Sequence, residues 1–258
     1  MPNKLLNAIT VKDISQDAAE MYIHGTIIDD SYNRWFWSDD DKAGYVLPTD
    51  VKEQLKALNG KDLTVYINSD GGQVNAGIAI ANMLARHTGH TTAVIDGWAA
   101  SIASVIFMAC DTRKMPSNTW LMIHKPALQI AGNANDLQHA VSFLDTIQEG
   151  IEQTYREHAK SGTSAEDIHA MVEDETWLTA EEAAQKFDIE IVDAQMEAAA
   201  CAGSISDAFH KVPKDLLRSP IFQPGNKKPP TNGPAADNTP SDLAKKKAFI
   251  LKSLAESK

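Results

Sequence analysis

Two short stretches hold residues suited to acyl chemistry. In IDGWAASIASVIFMAC, residues 95–110, Ser101 follows Gly97, Trp98 and two alanines and precedes a second apolar run. A serine at that junction is a favoured helix N-cap. It is also a hydroxyl presented at a strand-to-helix turn, where a nucleophile would stand. In YINSDGGQVNAG, residues 66–77, an extended run leads into Gly71-Gly72 and then a helical pattern. A glycine pair lets the backbone take positive φ and approach a ligand closely. The helix N-terminus behind it favours negative charge, as on a phosphate or an oxyanion. The phosphate signatures GxxxxGK[ST] and GxGxxG are both missing. The backbone N–H groups of Gly72 and Ile102 would together form an oxyanion hole, each donor worth on the order of 3 kcal/mol in the transition state.

A serine nucleophile needs a base. Of the eight histidines, His24, His87, His90, His139, His158, His169 and His210 stand in polar or helix-surface settings. His124 differs, because it ends the apolar run TWLMIH and precedes Lys125-Pro126. A histidine at a strand end is placed to face a site. Taken one at a time, these features also read as a cap, a turn and a structural histidine.

The surrounding pattern must position them. AEMYIHGTII reads as an early strand and DLTVYINS as a buried one. PTDVKEQLKALNG predicts a short helix capped by Thr49 or Asp50 and stopped at Gly60. GGQVNAGIAIANMLARHTG predicts a helix with an apolar stripe of Val74, Ile78, Met83 and Leu84. TTAVIDG is the next strand and SIASVIFMACD the next helix, after which RKMPSNTWLMIHKP supplies a turn and a strand. Strand and helix alternate with short connections, which predicts an α/β domain. Residues 135–162 form the longest helical stretch, with Leu137, Val141, Leu144, Ile147, Ile151 and Tyr155 on one face. That face suits packing on the domain or against a second subunit. Residues 164–193 hold two short helices and a last strand.

Composition narrows the class. A net charge of −11 excludes a mainly electrostatic nucleic-acid binder. Two cysteines, Cys110 and Cys201, are too few for a disulfide framework and form no CxxC, so no metal is expected and a reducing cytoplasm fits. Neither a signal peptide nor a membrane span is expected. The aromatic RWFWSDDD, residues 34–41, reads as a loop. The divisions expected are a domain over 1–195, a small-residue and Pro/Asn-rich linker over 196–240, and a short basic helix or tail over 241–258.

Taken together the motifs resemble the Clp peptidase family, the ring-forming serine proteases of the Clp/crotonase fold. YINSDGG is similar to that family's Y-I-N-S-P-G-G, GWAASIAS to G-x-A-A-S-M-G, and LMIHKP to M-I-H-x-P. TWLTAEEAAQKFDIEIVD resembles the family's closing segment, and the likeness covers about residues 18–194. The resemblance implies stacked β-β-α units and a protruding handle helix. It implies Ser101 as nucleophile, His124 as base, and an acid three residues before Leu178, which is Glu175, with Asp174 as its alternative. Asp70 replaces the family's proline, and Ala103 replaces a glycine. No cofactor is implied, and the partners would be peptide or protein substrates and further copies of the chain in a ring. RWFWSDDD, the DETW turn and the proline-rich tail resemble the subgroup of Clp-like phage and prophage head maturation proteases, which cut capsid and scaffold precursors. The competing expectations are an ATPase-fed Clp subunit in the cytoplasm, a crotonase-fold acyl-CoA hydratase or isomerase, a Ser/Lys peptidase using Lys114 or Lys125, and a non-catalytic assembly scaffold.

Overall fold

Alternation of β-branched and small residues with short helical runs builds an eight-stranded mixed sheet flanked by helices, and a separate two-stranded sheet. The computed structural model describes residues 8–13, 15–33, 44–58, 60–193 and 209–213. All of these lie in the compact unit Met1–Ile221. The expected loop at 34–41, Cys201, and the linker and tail apart from 209–213 fall outside the described residues.

The strands are β1 (Ile9–Asp13), β2 (Ala18–His24), β3 (Thr26–Ile27), β4 (Tyr45–Val46), β5 (Asp62–Ser69), β6 (Thr91–Ala100), β7 (Thr112–Pro116), β8 (Trp120–Ile123), β9 (Thr176–Thr179) and β10 (Glu190–Val192). The helices are α1 (Pro48–Leu58), α2 (Val74–Ala85), α3 (Ile102–Met108), α4 (Ala134–Glu157), α5 (Ala165–Glu173) and α6 (Ala180–Lys186). The main sheet runs β1-β2-β5-β6-β7-β10, with β8 paired to β6 and β9 to β8. β2, β5, β6 and β7 are parallel neighbours. β5 and β6 alternate buried with partly exposed residues along most of their length and become continuously buried only at their C-terminal ends, which lie next to Ser101. No described helix is long and apolar enough to cross a membrane.

Several elements depart from the sequence expectation. α1 begins at Pro48 rather than after a Thr49 or Asp50 cap, because proline suits the first helical position, where no N–H is needed. α2 buries Ala76, Gly77, Ile80, Ala81 and Leu84. Of the predicted stripe Leu84 is buried and Val74 packs against the core, but Ile78 is exposed, its place on the buried face being taken by small Ala76, Gly77 and Ala81 together with Ile80. Arg113, Lys114 and Met115, expected in a turn, lie in β7. β6 continues through Gly97 to Ala100, and its register against β5 shifts between Ile67 and Ser69. This bulge is filled by the Asn68 side chain. A Cβ on Gly97 would sit 2.7 Å from Asn68 Oδ1, so any larger residue would have to displace that side chain. Bulges of this kind re-aim a strand end next to a site. Past the bulge, β6 leaves β7 and pairs with β8.

Core helix α3 is buried along its length. Arg113, only 6% exposed, closes its C-terminal end. Its guanidinium donates to the carbonyls of Met108 and Cys110 and pairs with Asp188. Arg113→Leu is expected to lower unfolding stability by roughly 2–4 kcal/mol, because buried carbonyls lose their donors. Urea denaturation would measure it, and a loss under about half a kcal/mol would contradict this role. Cys110 beside it is buried, which pushes its thiol up to about 12 and keeps it protonated.

Candidate active site

The bulged end of β6 and the adjoining strands converge on Ser101. Ala100 pairs with Met122 across β6 and β8, and the Ser101 N–H donates to the Met122 carbonyl at 3.0 Å. Two residues further on, His124 leaves β8. β9 runs antiparallel to β8, with Ile123 opposite Thr176. One step further along this register, Glu175 stands opposite His124. Three elements therefore bring Ser101, His124 and Glu175 to one sheet corner.

Ser101 occupies the N-cap position of α3 but caps nothing with its side chain. Its backbone has φ 55 and ψ −130, left-handed for a residue with a Cβ. Such strain costs of order 1–3 kcal/mol and persists where surrounding structure imposes it. Instead of capping, its Oγ lies 2.7 Å from His124 Nε2. Beneath it a buried chain fixes the turn. Tyr155 on α4 and Ser104 are joined hydroxyl to hydroxyl at 2.7 Å, and Ser104 Oγ donates to the Ser101 carbonyl. Burial pushes the Tyr155 hydroxyl up, so it stays protonated and donates to Ser104.

The glycine pair packs directly on this turn. Gly71 (φ +91) lies so close that a Cβ there would meet Ala100 O and Ser101 Cβ at 2.7 Å and Ile102 N at 3.1 Å. Gly72 (φ +144) is pressed against the Ile27 carbonyl in an isolated bridge. The bridge uses Gly71 O and Gln73 N, bonded to Ile27, and leaves the Gly72 N–H without a partner among the described residues. The Ile102 N–H is likewise unengaged among them. Among the described residues, then, two donors without partners directly follow Gly71 and Ser101, the two residues packed on each other. Gly71→Ala is expected to slow acylation of Ser101 about 10- to 100-fold, since small displacements of positioned groups cost that much. Timed labelling with a fluorophosphonate would read it, and an unchanged rate would refute tight packing of the pair on Ser101.

Burial pushes the His124 imidazole below its ordinary range; the Glu175 carboxylate opposes the shift and His210 adds to it. The ring is therefore neutral at lower pH than a free imidazole, ready to accept a proton. Asp174 is 78% exposed and pairs with Lys211 at 3.2 Å, away from the imidazole. Lys125 pairs with Glu173 at 2.8 Å, and Lys114 with Glu190 at 3.5 Å at the far sheet edge. Neither lysine bonds Ser101. Asp70, in the position of the family's proline, accepts from Trp98 Nε1 at 2.7 Å, and its burial raises the carboxyl's pKa. Among the described residues, no three His, Cys, Asp or Glu side chains converge as metal ligands. The arrangement can deprotonate a serine hydroxyl and hold the oxyanion that follows its attack on a carbonyl.

Sequence reasoning missed four contributors. These are Asn68 in the bulge, Trp98 on Asp70, the Tyr155–Ser104 chain, and the segment at 209–211. Asn68, Asp70, Trp98, Ser104 and Tyr155 stand in motifs or on a face legible in the sequence but without these roles, and the segment at 209–211 left no trace.

Comparison with known proteins places this geometry in context. The Clp protease family profile matches residues 47–193. An ATP-dependent Clp protease proteolytic subunit of Bacteroides fragilis is 32% identical over 126 residues, 48% of this chain and 60% of the relative. The proteolytic subunit 1 of Chlamydia abortus is 36% identical over 129 residues, 48% of this chain and 66% of that one. The chain thus spans about three fifths to two thirds of the length of these curated relatives. A solved ClpP1 mutant from Listeria monocytogenes superposes with a TM-score of 0.54 at 24% identity, covering 70% of this chain and 93% of the other, a likeness of fold.

Proposed function

Because the chain belongs to the Clp protease family, we propose that it is a serine endopeptidase subunit with Ser101 as its nucleophile. The observation that carries this reading is Ser101 Oγ at 2.7 Å from His124 Nε2, on a left-handed backbone whose side chain caps nothing.

The chemistry follows from the geometry. Ser101 Oγ attacks the scissile carbonyl while His124 Nε2 takes its proton. The carbonyl oxygen becomes an oxyanion facing the N–H groups of Gly72 and Ile102. Glu175 stabilises the imidazolium and orients the ring. Collapse of the tetrahedral intermediate breaks the C–N bond, and the imidazolium gives its proton to the leaving amine. Water, deprotonated by the same imidazole, then hydrolyses the acyl-enzyme and restores the Ser101 hydroxyl. No metal or organic cofactor takes part in this scheme.

The substrates in this reading are peptides and proteins, and the working form is an assembly of copies of this chain acting in the cytoplasm. Exposed Leu137, Val141 and Phe143 along the N-terminal half of α4 support self-association. The crotonase-type reading would need neither Ser101 nor His124, and the scaffold reading leaves their 2.7 Å contact without a use. A narrower reading, head maturation of a phage or prophage capsid, rests on the aromatic segment at 34–41, the DETW turn and the proline-rich 219–242. A Clp subunit fed by an ATPase is its alternative. Intact mass after fluorophosphonate treatment tests the chemistry, with one probe expected on wild type and none on Ser101→Ala. Cleavage of a capsid precursor without ATP and an unfoldase would separate the narrower reading from its alternative.

A further inference from the structure

A segment far along the chain reaches the catalytic corner. Phe209 is 8% exposed, and its ring packs edge-on against the His124 imidazole, with centroids 5.7 Å apart and planes at 79°. The same ring meets Trp177 of β9 at 5.6 Å and 82°. The next two residues turn their backbone on the acid: the N–H groups of His210 and Lys211 both donate to Glu175 Oε1, at 2.7 and 2.6 Å. Lys211 Nζ also reaches Asp174. Two successive amides converging on one carboxylate oxygen form an anion-holding nest. Glu175 is also the other non-glycine described residue with positive φ, at 51.

We infer that Phe209–Lys211 is a positioning strap for catalysis, its amides holding Glu175 and its aromatic ring holding the His124 imidazole. The strap touches base and acid at once and contributes no reacting atom. Two observations set it apart from a plug. With the strap in place, His124 Nε2 still meets Ser101 Oγ at 2.7 Å. Ser101 stays partly exposed and Gly72 exposed, so the side from which a carbonyl would approach remains open. The ring also accounts for part of the dry setting of His124. Among the described residues, Ser101, Glu175 and His210 are the polar and charged groups acting on that imidazole, and Asp174 and Lys211 lie one residue further along, paired with each other.

This inference rests on the serine-peptidase reading, and the experiment separates the two. The rate of fluorophosphonate labelling at Ser101 is measured across the titration range of an imidazole in the full chain, for wild type, Phe209→Ala, Phe209→Tyr and Lys211→Pro. Phe209→Ala is expected to label about 10- to 100-fold more slowly. Its acid limb should also move to higher pH, because a wetter imidazole holds its proton more readily. Phe209→Tyr, which keeps the ring, should restore both rate and limb. Lys211→Pro removes one amide donor and leaves Phe209, so it is expected to slow labelling even if Phe209→Ala fails to fold. Labelling of the folded variants at or above the wild-type rate, with an unmoved limb, would overturn the strap and leave the peptidase reading intact. Wild type that labels no faster than Ser101→Ala would overturn the peptidase reading itself.

Discussion

Ser101→Ala is expected to lower kcat for peptide hydrolysis by about a million-fold, and His124→Ala by a similar factor. The double variant should be no worse than either single one. The reason lies in the contact at 2.7 Å. An unassisted serine hydroxyl is a poor nucleophile, and a histidine without its serine has no proton to take. The two side chains act as one unit, so removing the second member removes nothing further. A residual rate of about a thousand-fold over water should survive from the Gly72 and Ile102 donors and from binding. The fold should survive as well. The φ of 55 at Ser101 is as costly for alanine as for serine, and the side chain makes no cap hydrogen bond whose loss would loosen α3. Hydrolysis of a fluorogenic peptide, alongside thermal unfolding, measures both halves. If Ser101→Ala kept a tenth of the wild-type activity, another nucleophile would have to exist. Additive losses in the double variant would mean that the two residues act in separate steps.

The comparison of this site with its sequence shows which signals are local. Gly71-Gly72, Ser101 and His124 each sit at a junction of strand with helix or loop, and junctions are written in small and polar residues that stand out against apolar runs. Their order along the chain was therefore legible. What brings them together was not. The bulge between β5 and β6 depends on Asn68 filling the space over Gly97, a contact between residues on different strands. β9 is four residues long and follows Glu173, Asp174 and Glu175, so its sequence reads as an acidic turn until β8 pairs with it. The long helix α4 was visible from its periodicity. Of its large apolar residues, however, only Ile151 and Tyr155 near its C-terminal end are buried, while Leu137, Val141 and Phe143 nearer its start are exposed. The strap was the least legible part. Phe209 stands among small, polar and basic residues with no period, and it acquires a role only because folding sets it against His124 and Trp177.

The same geometry favours Glu175 of the two acids that the sequence left open. Glu175→Gln is expected to lower kcat by up to about ten thousand-fold, whereas Asp174→Asn should stay within about twofold, as for an exposed ion pair. Asp174 points outward and is paired with Lys211, while Glu175 is the carboxylate whose charge reaches His124. The size of the Glu175→Gln effect follows from hydrogen-bond roles. The strap offers two N–H donors to one oxygen of residue 175. A glutamine satisfies them only with its amide oxygen, so its other terminal group is an NH₂ where glutamate keeps a second oxygen. An NH₂ can only donate. Toward the imidazole it favours the tautomer with an unprotonated Nδ1, and the proton then sits on Nε2, the atom that must accept from Ser101. The ring would be well placed and wrongly protonated, so kcat falls while KM changes little. Glu175→Asp keeps the charge but withdraws it by one methylene, and should fall between wild type and Glu175→Gln. Paired measurements of kcat and KM on the three variants decide the assignment. A large loss in Asp174→Asn with a small one in Glu175→Gln would transfer the role to Asp174.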